Sequence, residues 1–365
     1  MTRVLHVQKV TSVHGSETHL LSLLPLLRAR GWDARMLVLD EGEEGAADFV
    51  RRLEALEVPV RRLRMRLDAD PVAFARLLGV IRAARPEIVH THLFHGDVYG
   101  QAAAAALRVP VRASTKHGFD EFRANRAVAL ADRAAARLAH VHVAISRGLA
   151  EYLAETEGFD ADAFDVVHYG IALGPEPPPP PAEPRLLCIG RLIPIKGHDT
   201  LLRAFARARG HVPGLTLDLA GEGALEEGLR ALAAELGVAD AVRFLGYVSP
   251  VAPLVERSLA VVVPSLGEGF GLVALEAMER GRAVVASRVG GLGEIVADGV
   301  TGRLVPPGEV EPLADALAAV ASEPEAAAGL GAAGRERAAR EFAEERCAER
   351  TAELYERALA RRRRT

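Results

Sequence analysis

The chain has 365 residues, 45 basic and 49 acidic side chains, a formal net charge of −4 and 49% hydrophobic residues. This length suits two domains rather than a single core, and the charge gives no general case for nucleic-acid binding. No apolar run reaches membrane-spanning length and "MTRVLHVQKV" lacks a signal-peptide pattern, which together predict a cytoplasmic protein.

"RVLHVQ" reads as a buried strand. The loop "KVTSVHGSE" follows, then a helix, "THLLSLLPLLRARG", bent by Pro25 and ended by Gly31. Strands alternate with helices through "ARMLVLD", "EIVHTHL", "VRASTKHG" and "HVHVAIS", the pattern of a parallel α/β domain. The proline run "GPEPPPPPAEP", 174–184, cannot join a sheet and reads as a semi-rigid linker. The alternation then restarts with "RLLCIGRL", a helix from His198, the strand "LTLDLAGEG" and a helix from Leu225. "VRFLGY", "AVVVPS" and "AVVAS" supply three further strands. The expected organisation is a first α/β domain over 1–173, the linker, a second α/β domain over 185–345, and a C-terminal helix over 346–365 able to pack back on the first domain. "RRRR", 361–364, reads as a solvated end, with attraction to anionic lipid as the alternative. Cys188 and Cys347 sit in no motif and read as inert thiols.

Ligands of open parallel sheets sit at the carboxyl ends of strands. That rule selects Gly190–Lys196, Gly221–Gly223, Tyr247–Val248 and Ser265–Gly271 in the second half, and His14–Glu17, His92–His95 and Lys116–Asp120 in the first. Arg191 and Lys196 share one short loop, and two cations there suit a diphosphate; a solvated basic loop is the bland alternative. Only Lys9, Lys116 and Lys196 are lysines in this arginine-rich chain, so a retained lysine suggests a need for a compact charge. In "EGFGLVALE" the acids Glu268 and Glu276 stand eight apart. Paired carboxylates suggest glycosidase chemistry, but eight helical residues rise about 12 Å and turn the face by about 80°. Glu268 therefore belongs to the loop and Glu276 to the early turns of the next helix, flanking a helix N-terminus suited to an anion. "HTHLFH" places His90 and His92 on one strand face and His95 past its end; no Cys or carboxylate completes a ligand set, so no metal is expected. Arg123, Arg126, Arg133 and Arg137 fall near one helix face, read as solvated, with an acidic lipid or a phosphorylated acceptor as the alternative.

"GRLIPIKGHDTLLRAFA", "LAGEG", "VRFLGYV" and "VPSLGEGFGLVALEAMERGRAVVASRVGGLGEIVADGVTGRLVPPGE" occur in that order, and "HGSE", "IVHTHLF", "STKHGFD" and "VAISRGL" precede them. Together they resemble the family 4 glycosyltransferases, retaining enzymes of the GT-B fold. The resemblance implies two Rossmann-like domains facing each other across a cleft, donor bound by the second and acceptor by the first. It implies that Glu276 holds the ribose hydroxyls and that Glu268 lies beside the transferred sugar. Arg191 and Lys196 would neutralise the phosphates, and backbone N–H groups around Phe270, Gly271 and Leu272 would complete the cradle, with Gly221 and Val248 also lining the donor. The histidine matching His117 contacts the donor sugar near its reacting centre. Glu268, His117, Lys196 and Arg191 are thus the expected catalytic group. Gly15 would allow close backbone approach; His14, which replaces a glycine common in relatives, would line the acceptor side with His95, Asp120 and Glu121. "VHYGIAL" carries Ala172 where relatives often have aspartate.

The expected activity is transfer of a sugar from a nucleoside diphosphate sugar to a hydroxyl of a glycan, lipid-linked or small-molecule acceptor, as in polysaccharide biosynthesis. Retention, no cofactor, no metal and no nucleic-acid partner are expected, with a peripheral contact at the inner membrane face as a further option. The rival readings are another GT-B enzyme, such as a sugar-nucleotide epimerase or a phosphorylase, and a non-catalytic nucleotide-sugar-binding protein.

Overall fold

The computed structural model describes residues 1–118, 126–181 and 183–364, and these form two compact units, Met1–Gly170 with Glu344–Thr365, and Ile171–Ala343. The divisions fall three residues before 173/174 and two before 345/346. Among the described residues no helix is long and apolar enough to cross a membrane.

Unit 1 is built on seven parallel strands: Arg3–Lys9 (β1), Asp33–Asp40 (β2), Val60–Arg64 (β3), Ile88–His92 (β4), Val111–Lys116 (β5), Val141–Ala144 (β6) and Phe164–Val166 (β7). Their order is β3-β2-β1-β4-β5-β6-β7, so the sheet reverses its direction of growth between β1 and β4. Alternate residues serve opposite faces, as the strand period of two requires. Val4, Ala34, Met36, Val38, Ile88 and Ala113 pack with Leu20, Leu24 and Leu27 of the helix Gly15–Ala29 and with Tyr355 of the helix Glu344–Arg363. Leu5, Val7, Leu37, Leu39 and Val89 pack on the other face with Leu77 and Ile81 of the helix Pro71–Ala84. The last helix belongs to unit 1 because its apolar stripe, including the fully buried Tyr355, is part of that core.

Unit 2 has six parallel strands: Arg185–Ile189 (β8), Thr216–Ala220 (β9), Val242–Gly246 (β10), Ala260–Val263 (β11), Ala283–Ser287 (β12) and Gly302–Val305 (β13). Their order, β10-β9-β8-β11-β12-β13, reverses between β8 and β11. β8, β11 and β12 are continuous apolar runs because helices cover both faces of an all-parallel sheet. The proline-rich run lies against this unit. Arg335 donates to the carbonyls of Gly174 (2.8 Å) and Pro175 (3.1 Å), and the buried Arg282 donates to those of Pro178 (2.9 Å) and Glu256 (2.6 Å). Proline has no N–H to offer, so its carbonyls are the groups left for an arginine fork to bind.

Lys116, whose side chain is 2% exposed, is the buried ion of unit 1. Its ammonium lies 2.7 Å from Asp97 and 2.9 Å from Asp132, and Ser114 donates to Asp97 at 2.7 Å. Removing one partner of such a cluster leaves like charges facing each other out of water. Lys116→Met should therefore lower the unfolding free energy by about 3–5 kcal/mol, measured by urea titration.

Candidate active site

The carboxyl ends of β8 and β11, beside the reversal of unit 2, carry the sequence-selected acids and bases. The loop after β8 runs through Gly190 and Arg191 to a single 3-10 turn, Pro194–Lys196, ended by Gly197 in the left-handed region. The loop after β11 runs from Pro264 to Gly271 and opens the helix Leu272–Glu279. Lys196 Nζ donates to Glu268 Oε2 at 2.6 Å, and Ser265 Oγ donates to the same oxygen at 3.3 Å. The side chains are 24% and 17% exposed, so the pair is accessible yet partly desolvated. Backbone contact fixes the two loops: Leu266 N–H donates to Ile195 O at 2.8 Å.

The neighbouring loops close on the same place. Gly190 N–H donates to Ala220 O at 2.9 Å, and Gly221 N–H to Gly246 O at 2.8 Å. Gly221 has φ +149°, and a Cβ there would sit 1.9 Å from Gly190 O, so only glycine permits this approach. Val248, half-buried, follows Tyr247 at the end of β10. Gly271 caps the helix with φ +108°, a conformation that costs glycine little. Ala274 N–H turns back to Gly271 O at 2.9 Å, while the N–H groups of Leu272 and Val273 have no acceptor among the described residues and favour an anion. Phe270 contributes backbone alone, because its side chain is buried against Phe342.

Arg191 is exposed, and among the described residues no acceptor holds its guanidinium. Glu276 occupies the second turn of the helix, half-buried, with no hydrogen-bond donor on its carboxyl among the described residues. Burial, assisted by the nearby Glu279 charge, pushes its carboxyl up to about 7. A carboxylate so placed, short of donors, is suited to accept hydroxyl protons from a ligand.

In unit 1, Gly15 is the first residue of its helix, with His14 exposed as N-cap. His14 N–H donates to Glu17 at 3.0 Å, and Glu17 is buried beside Gln8. His95, in the short helix Leu93–Gly96 that follows β4, lies 2.9 Å from Asp68, which Lys9 also contacts at 3.0 Å. Burial is the largest influence on His95 and lowers its proton affinity, helped by Lys9. His117 follows β5 with both ring nitrogens engaged: Nε2 with His92 Nδ1 at 2.9 Å and Nδ1 with the hydroxyl of Tyr169. A ligand therefore meets the ring's carbons or the local backbone unless one of those bonds opens. Asp120, Glu121 and Arg123 lie outside the described residues, while Arg133 and Arg137 are exposed.

Sequence reasoning singled out His92 but not its pairing with His117, and it missed Tyr169, Tyr355 and His6. Tyr169 and Tyr355 come from segments distant in the chain, and His6 stands inside an apolar strand. The signal was present in the alternation: His6 shares a sheet face with Val4, and His90 and His92 share one with Ile88.

Residues 13–174 match the family described as Glycosyltransferase Family 4, and residues 175–337 match Glycosyl transferases group 1. Glycogen synthase of Mycobacterium tuberculosis is 34% identical over 294 residues, covering 76% of this chain and 70% of that protein. D-inositol 3-phosphate glycosyltransferase of Saccharomonospora viridis is 43% identical over 183 residues, 47% of this chain and 42% of that one. In fold, the chain is similar to Anabaena Alr3699/HepE in complex with UDP and glucose, with a TM-score of 0.83 at 22% identity over 98% of this chain and all of that one. Sucrose-phosphate synthase from Thermosynechococcus elongatus gives 0.78 at 23% identity, over 99% and 100%. The two Rossmann-like units define the GT-B fold, and the chain belongs to glycosyltransferase family 4. It is a nucleotide-sugar-dependent glycosyltransferase.

The raised carboxyl of Glu276 has a stability consequence. Between the ordinary carboxylate range and about 7, the folded chain holds a proton that the unfolded chain has lost. Stability from this group therefore falls as pH rises through that window. Urea unfolding from about pH 5 to about pH 8 should show the wild type losing stability relative to Glu276→Gln, which has no proton to lose.

Proposed function

We propose that unit 2 binds the donor's nucleoside diphosphate and sugar, that unit 1 binds the acceptor, and that transfer retains the anomeric configuration. The observation that carries this reading is the Lys196–Glu268 pair, which joins the loops after β8 and β11 at the sheet reversal. An ammonium has three donors. One on Glu268 leaves two for phosphate oxygens, so cation and acid can address adjacent parts of one sugar phosphate. Arg191 supplies a second, unpaired cation for the diphosphate, and the helix end at Gly271 adds oriented N–H groups. Glu276 takes the ribose hydroxyls, which stabilise its ionised form and offset the cost of burial.

In the reaction, the bond from the anomeric carbon to the phosphate oxygen breaks as the acceptor oxygen bonds to that carbon on the same face. The acceptor proton passes to the departing phosphate. Stabilising the leaving diphosphate is the main task, and Arg191, Lys196 and the helix-end amides perform it electrostatically. Glu268 is assigned to the transferred sugar in unit 2, and His117 is the catalytic group of unit 1. The acceptor is a carbohydrate, a lipid-linked glycan or a small hydroxyl compound, met by His14, His95 and Asp120, while Gly15 allows close backbone approach. The protein works in the cytoplasm, with peripheral membrane contact as an option for a lipid-linked acceptor.

No metal is required in this reading. Among the described residues the single cluster with metal-ligand spacing is His6, His90 and His92, whose ring nitrogens are already hydrogen-bonded. EDTA should leave transfer intact, assayed by release of nucleoside diphosphate; loss restored by one divalent ion would refute this.

The two glutamates separate by ligand. With UDP and UDP-glucose as the first probes, Glu276→Gln should weaken both by about 1.5–3 kcal/mol, because the ribose is common to them. Glu268→Gln should bind UDP as well as or better than the wild type, since Lys196 is released to the phosphates, while transfer drops by a comparable free energy. Calorimetry and kcat/KM test this, and equal effects of both changes on both ligands would sink the assignment. Arg191→Ala and Lys196→Ala should each reduce transfer while the fold survives.

A further inference from the structure

His117 belongs to a buried chain of hydrogen bonds that crosses three strands of unit 1 and runs from Thr115 to Tyr169. Thr115 Oγ1 lies 2.6 Å from His90 Nε2, and His90 Nδ1 lies 2.6 Å from the Tyr355 hydroxyl. That hydroxyl lies 3.3 Å from His6 Nε2, and His6 Nδ1 lies 2.9 Å from His92 Nε2. His92 Nδ1 meets His117 Nε2 at 2.9 Å, and His117 Nδ1 meets Tyr169. His6, His90 and His92 are at most 2% exposed. His19 stacks on Tyr169 with centroids 4.4 Å apart.

A neutral imidazole has one donor and one acceptor nitrogen. In an unbranched chain of such rings, each bond fixes the direction of the next. A reversal anywhere would set two N–H groups, or two lone pairs, against each other in a dry interior, where an unmet polar group is expensive. The chain therefore has two uniform states: every histidine protonated on Nδ1, or every histidine protonated on Nε2. A hydroxyl closes each end: buried Thr115 at His90 Nε2 and Tyr169 at His117 Nδ1. In either uniform state each hydroxyl complements the ring it meets, donating at one end and accepting at the other.

We propose that Thr115, His90, Tyr355, His6, His92, His117 and Tyr169 act as one tautomeric unit that holds His117 neutral and in the same tautomer as His6, His90 and His92. His6, His90, His92 and Tyr355 are then positioning residues, and His117 enters the reaction as a fixed neutral group rather than as an acid or base. Burial acts in the same direction: it lowers His6, His92 and His117 well below the usual histidine range and His90 to about 3. Other titratable groups nearby leave this intact. His19 is lowered to about 3 by burial, the Lys116 charge is taken by Asp97 and Asp132, and Glu17 is engaged by Gln8 and the His14 N–H. The tautomer assignment needs no substrate, while its catalytic consequence rests on the site reading given above; the two fail separately.

The test is long-range proton–nitrogen NMR of the full chain labelled with ¹⁵N-histidine. The expected spectrum gives His6, His90, His92 and His117 one and the same tautomer pattern, unchanged from about pH 5.5 to about pH 8. Tyr355→Phe cuts the chain at its centre with little change in volume. It should leave the fold intact by circular dichroism, place His117 in exchange between tautomers, and lower kcat about 10-fold with donor KM little changed. Thr115→Val removes a terminal hydroxyl and should shift the same His117 signals. Mixed tautomers in the wild type, titration of any of the four in that range, or tightly held metal displacing the nitrogen–nitrogen bonds would each overturn the proposal. So would an unaltered His117 spectrum in both variants.

Discussion

In a parallel sheet every strand ends on the same side, and where the order reverses two neighbouring loops diverge to opposite faces and leave a crevice. That constraint determines where this chain can do chemistry. In unit 2 the reversal lies between β8 and β11, and the loops that leave those strands bring Arg191, Lys196 and Glu268. Glycines make the convergence possible, since at Gly221 any side chain would collide with a neighbouring carbonyl.

Unit 1 uses the same reversal with different materials. β1 and β4 are hydrogen-bonded neighbours in which His6 lies opposite His90, and Gln8 opposite His92. The apolar core on this face gives way to rings and hydroxyls toward the carboxyl ends of the strands. Such a polar interior is tolerated because nearly every group has a partner; Gln8 Oε1 is an exception. The opposite face handles charge through a lysine closed between two aspartates.

The two central lysines show how burial sets use. Lys116 is sealed, its charge permanently matched, and its contribution is to the fold. Lys196 is partly open, held by one acid, with donors to spare. Arg191 next to it is exposed, and Glu276 beyond it is half-buried and short of donors. An unspent cation and an unsatisfied acid are the basis of the proposed phosphate and hydroxyl contacts.

The sequence by itself determined the strand and helix alternation and the strand ends where candidate residues fall. It also placed Glu268 in a loop and Glu276 on the following helix, since each depends on short-range periodicity and local turn chemistry. It left open whether Lys116 was a surface charge, because burial is a property of what packs over a strand. Two features required the folded chain. Lys196 and Glu268 are 72 residues apart and become partners because β8 and β11 are adjacent. The histidine chain draws on His6, His90, Thr115, Tyr169 and Tyr355, with the last residue supplied by a helix whose return to the first domain was expected but whose contact with buried histidines was not. Spacing along the chain constrains neighbours within a few residues; contacts between distant segments are set by sheet order and by which apolar faces find each other, and neither is written in any one segment.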